Sequence, residues 1–104
     1  MSPRRNSDLD SLIADITVDC YNEDEQLTAF EVAFDNDATL PCPGRVIGEE
    51  VRVISIGITN GRRELVATCE HNGHRHQMAV LDVEVNGDPT TNTLVAAYRR
   101  WNSS

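Results

Sequence analysis

Ten carboxylates stand between Asn6 and Gly44 (Asp8, Asp10, Asp15, Asp19, Glu23, Asp24, Glu25, Glu31, Asp35 and Asp37), with no Arg, Lys or His among them. Hard oxygen donors at that density suit a hard divalent cation, or a solvated anionic face that steers a basic or redox partner protein. Beyond Gly44 seven acids are matched by seven arginines, and Arg4 and Arg5 complete the net charge of -8. The negative charge is therefore regional. Within it, Asp35, Asp37 and the Thr39 hydroxyl mimic the first, third and fifth positions of an EF-hand loop. The pattern then fails, because Leu40 stands where the loop needs glycine and Val46 where it needs a bidentate Glu. Glu23, Asp24 and Glu25 supply further oxygens, and they also read as ordinary first-turn chemistry, where a helix dipole favours negative charge. Glu31 stands apart from both groups.

A second constellation lies around Asn72-Gly73, the dipeptide of a two-residue hairpin turn. Such a turn pairs His71 with His74 and Cys69 with His76, and the period of two puts all four on one face, as a zinc or copper site would need. That face continues through Ala67, Leu65, Met78 and Val80, so it also reads as the rim of a core. Catalytic signatures are absent: there is no G-x-S-x-G, no phosphate-cradling glycine loop and no H-E-x-x-H, and Gly57 to Gly61 is a turn. No enzymatic activity is expected.

Local patterns give the elements that must position these groups. Leu9, Leu12, Ile13, Ile16 and Cys20 follow helical spacing behind Ser7 as a cap, with β-branched Ile16-Thr17-Val18 inviting an interruption before Tyr21. Asn22 caps a second helix whose apolar face is Leu27, Phe30, Ala33 and Phe34. After Pro41, Pro43 and Gly44 the period becomes that of strands. The phase slips between Val53 and Ile54, as a bulged, bent strand requires. Two strands follow, about Glu64 to His71 and His74 to Val80. Asp88-Pro89 then opens a helix with Leu94, Val95, Tyr98 and Trp101 on its buried side. The expected fold is α+β: amino-terminal helical segments, a small bent antiparallel sheet curling into an SH3-like, partly open barrel, and a carboxy-terminal helix. Residues 1–7 are expected to be a disordered tail and 8–104 a single domain.

At 104 residues and 39 % apolar content, one modest aliphatic core is all the chain can build. No apolar run is long enough to cross a bilayer, and no leader-like stretch follows the first arginines, so a cytoplasmic location is expected. Three widely spaced cysteines, Cys20, Cys42 and Cys69, read as reduced packing residues. The acidic balance and the scattered arginine pairs, without aromatic neighbours, argue against nucleic acid.

The segment Asp19-Cys20-Tyr21-Asn22-Glu23-Asp24-Glu25-Gln26, followed by an aromatic helix and an acidic turn into Leu40-Pro41, resembles the bacterial calcium-binding CcbP family known from cyanobacteria. Gly48-Glu49-Glu50-Val51, Met78-Ala79-Val80 and the closing stretch from Leu94 to Trp101 extend the likeness in matching order. The resemblance implies a small, acidic, soluble protein that binds Ca²⁺ through surface carboxylates without EF-hands and becomes more compact on binding. It implies Glu23, Asp24 and Glu25 after the tyrosine, and Asp35 and Asp37 before the proline, as the metal ligands. The chain departs from the pattern at Asn36, at Arg62 and Arg63 in a shortened segment after Ile58, and at Arg99 and Arg100, all where acids are expected.

Overall fold

The computed structural model describes residues 3–59 and 63–103. Helix α1 spans Pro3–Ile16 and α2 spans Glu23–Asp37; strands β1 (Cys42–Val46), β2 (Glu49–Ile58), β3 (Leu65–His71) and β4 (His74–Ala79) follow. A 3₁₀ turn, Val80–Asp82, leads to the short β5 (Glu84–Val85), and α3 (Pro89–Ser103) closes the chain. Helix α1 begins before the expected cap, so Ser7 lies inside it. It stops at Ile16, where the β-branched run gives way to a turn through Asp19 at φ 65°, which leaves Cys20 off the helical face.

The strands form one antiparallel sheet in the order β4-β3-β2-β1-β5. Four consecutive strands meander, and β5 returns to the outside of β1 through Gly44 opposite Val85 and Arg45 opposite Glu84. The predicted bulge is present, since the register between β2 and β3 shifts between Val53 and Ser55. The bend does not close the sheet: β4 and β5 are its two edges, so the expected α+β fold holds with the sheet left open. The hairpin around Asn72-Gly73 has both residues at positive φ, 52° and 81°, the conformation of the predicted turn.

Leu27, Phe30 and Phe34 of α2 and Leu94, Val95, Ala97 and Tyr98 of α3 pack with Val53, Ile56, Leu65, Ala67 and Cys69 of the sheet in one core. The partly buried Leu9, Leu12, Ile13 and Ile16 lay α1 against it. An aromatic seam joins the two longer helices: Phe30 meets Tyr98 edge-on at 5.6 Å and Trp101 at 5.3 Å, while Tyr98 and Trp101 stack at 5.9 Å. Trp101, expected to seal the core, is half-buried, and its indole N–H donates to Gln26 Oε1 at 2.8 Å.

Two polar ties fasten helices to strands. The buried Tyr98 hydroxyl accepts from the Leu65 amide at 3.0 Å, and the Glu31 carboxylate accepts from the Ile58 amide at 2.7 Å. An amide left unpaired in an apolar interior carries the full cost of its lost hydration. Tyr98→Phe, which keeps the ring and orphans the Leu65 N–H, should therefore destabilise the fold by about 1–3 kcal/mol in urea unfolding, with an unchanged m-value.

Candidate metal site

The predicted ligands all lie on α2, and the helix holds them apart. Glu23, Asp24 and Glu25 occupy its first turn, where the Asn22 side chain caps it by accepting from the Glu25 amide at 2.9 Å. Asp35 and Asp37 occupy its last turn. At 1.5 Å of rise per residue the two groups are separated by about 15 Å along the axis, beyond the reach of one ion whose oxygens must lie about 2.3–2.6 Å from it. Asp35 and Asp37 themselves sit two apart on a helix and so point to different sides. Among the described residues no three His, Cys, Asp or Glu side chains gather in an arrangement that could hold a metal ion. The donor chemistry suits a hard cation, but an assembled shell is not in place.

The two ends differ electrostatically. At the first turn, Asp24 Oδ2 accepts from Arg63 Nη2 at 3.2 Å, so a guanidinium already faces the acids there. The helix dipole adds partial positive charge at that end. Arg62, the other cation expected in this segment, lies outside the described residues. At the last turn there is no basic residue, and Asp35 and Asp37 are exposed at the negative end of the dipole with no side-chain partner among the described residues. The Thr39 hydroxyl, an expected oxygen donor, is engaged elsewhere: it donates to Asp88 Oδ2 at 2.9 Å.

Two other carboxylates are committed to structure. Asp10 accepts two bonds from the Arg100 guanidinium, at 2.6 and 3.1 Å, and that partner holds its carboxyl below the ordinary range. Asp88 caps α3 by accepting from the Thr91 amide at 2.8 Å, and bonding from Thr91, with help from Thr39, depresses its carboxyl likewise. A groove of about 660 Å³ between α1, α3 and β5 has the Asp10–Arg100 pair on its rim and none of the predicted ligands in its lining.

The histidine constellation has the predicted register, His71 opposite His74 and Cys69 opposite His76. Its members are not poised as ligands. Cys69 is buried, and burial raises its thiol above the ordinary range, as it does for Cys42. His71 Nδ1 lies 3.0 Å from the Glu50 carbonyl, which makes it the donor there, and its Nε2 faces Glu49 Oε2 at 3.6 Å. All three cysteines are free thiols, Cys20 half-buried and the others buried.

No family model matches the chain, and no curated protein does. Two solved structures share its fold. Anabaena CcbP superposes with a TM-score of 0.78 at 15 % identity, covering 99 % of this chain and 92 % of that one. A structure described as a calcium binding protein in the calcium-binding form gives 0.79 at 17 % identity, with 99 % and 96 % covered. At such identities the likeness establishes the fold.

Acid should expose the roles of the two structural carboxylates. Their folded pKa values are depressed, so each contributes stability that is present above the unfolded value of about 4 and is lost as pH falls through the folded value. Thermal melts from pH 7 down to pH 2.5 should show that loss. Asp88→Asn, which keeps an amide oxygen for the cap but not the charge, should melt below the parent at pH 7 and lose less on acidification. At the other pair, Arg63→Gln should change stability by less than about 1 kcal/mol, since both partners are mostly exposed.

Proposed function

We propose that this chain is a low-affinity Ca²⁺-binding protein, a buffer or sensor and not an enzyme, with Asp35 and Asp37 as its principal ligands. The observation that carries this reading is the placement of those two carboxylates at the negative end of α2 without a cationic partner among the described residues. The dipole disfavours both charges as they stand, and a divalent cation relieves that cost once the last turn loosens to bring the two carboxylates together. The shared fold with a calcium binding protein in its calcium-binding form supports the choice of ion.

Glu23, Asp24 and Glu25 play the lesser part. They lend long-range negative potential, but a cation entering there must displace Arg63 from Asp24 and meet the positive end of the helix. The absence of a preformed shell sets the strength, because carboxylates must move and waters must fill the remaining positions. A dissociation constant of roughly 10⁻⁴ to 10⁻³ M follows, weakened further by salt. Among the described residues no helix is long and apolar enough to cross a membrane.

Amide NMR during a Ca²⁺ titration, with Mg²⁺ and Zn²⁺ alongside, tests the assignment. Saturable shifts centred on residues 34 to 40 are expected with Ca²⁺, and they should disappear in the Asp35→Asn, Asp37→Asn double variant. Glu23→Gln with Glu25→Gln should only lower the affinity. A spectrum unmoved near Asp35 at millimolar Ca²⁺ rejects the reading and favours an acidic face that docks a basic partner.

A further inference from the structure

The turn between β1 and β2 breaks a rule that the turn between β3 and β4 obeys. Both are two-residue hairpins with positive φ at each central position, 48° and 80° at Ile47-Gly48 against 52° and 81° at Asn72-Gly73. Asparagine tolerates that first position, whereas a β-branched side chain there is a genuine outlier. Ile47 also stands 98 % exposed, the most exposed large apolar residue described. A strained backbone holding an apolar side chain in water loses on both counts in the isolated chain, and such outliers point to a function served.

Beside this tip lies a hollow of about 420 Å³ lined by Val46, Val51, Cys69 and Met78 together with Glu49, His71 and His76, and Ile47 itself stands on its rim. It is the end of the core face that the helices leave bare. The registers of the four meandering strands bring both hairpin turns to this same end of the sheet. An apolar knob beside a mostly apolar hollow makes a self-complementary patch, the requirement of a two-fold interface in which each copy's knob enters the other's hollow.

Charge favours the same occupant. Around this end four arginines, Arg45, Arg52, Arg75 and Arg99, stand against five acids, Glu49, Glu50, Glu70, Asp82 and Glu84, so it is nearly balanced while the chain carries -8. Most of the excess lies on α2, which carries six acids and no basic residue. Two copies therefore repel through their helical layers and can approach through their hairpin ends. The geometry points to a homodimer formed by the β1–β2 and β3–β4 hairpin ends, with Ile47 of each copy seated in the hollow of the other.

Sedimentation velocity across a protein concentration series tests this, using the full chain and the variant Ile47→Asn. The substitution removes the knob and places a residue suited to the turn, so the variant should fold at least as stably as the parent in thermal melts. The parent should pass from one to two protomers as concentration rises, and the variant's dimer dissociation constant should be higher by roughly tenfold or more. His76→Glu, which brings like charge to both rims of an exposed position, should weaken the dimer too. A parent that stays monomeric to about 1 mM, far above the range of specific dimers, overturns the proposal. So does a dimer indifferent to both substitutions, and so does a monomer that binds the apolar dye ANS in a manner Ile47→Asn abolishes, which would assign the hollow to a small apolar ligand.

Discussion

Helix α2 is fastened to α3 by the aromatic contact of Phe30 with Tyr98 and Trp101, and its anionic character sits on the side that this contact leaves in water. One side of the helix is buried through Leu27, Phe30 and Phe34, which fixes the opposite side in water. Acids on that side keep their hydration at little cost. Tyr98 carries the constraint onward, since the same side chain that meets Phe30 also satisfies the Leu65 amide at the start of β3. A helix, a strand and a second helix thus meet at one residue. Glu31 repeats the arrangement at the far end of β2, joining α2 to the Ile58 amide.

The charge excess is partly answered from within. Arg100 reaches Asp10 and Arg63 reaches Asp24, each from a distant part of the chain. Exposed pairs of this kind contribute little stability, but they decide which acids remain available. Asp10 and Asp24 are occupied, Glu31 and Asp88 serve backbone amides, and Asp35 and Asp37 are left to solvent. Of the ten carboxylates between Asn6 and Gly44, three are thereby engaged, Asp10, Asp24 and Glu31.

Local chemistry is legible in the sequence. Asn22, Asp88-Pro89 and Asn72-Gly73 announce caps and a turn through interactions spanning two or three residues, and the slip at Val53-Ile54 shows the bulge. Sheet closure was not legible, because it depends on whether the last strand meets β4 or β1, and two residues, Glu84 and Val85, settle it by pairing with Arg45 and Gly44. The site was half legible. Donor types could be read, but the stretch from Asp35 to Asp37 looked like a turn and is the last part of a helix, which sends the two carboxylates to different sides. The partners that matter most are remote: Arg63 lies 39 residues from Asp24 and Arg100 lies 90 from Asp10, separations at which no spacing rule operates.

Trp101 is the chain's sole tryptophan, wedged against two aromatic rings and tethered to Gln26 one turn into α2. Its indole therefore straddles the joint between the acidic helix and the closing one, half in oil and half in water. Ultraviolet emission from this single fluorophore registers any loosening of that joint as a red shift. The molecule carries its own optical gauge of how firmly its anionic helix is seated.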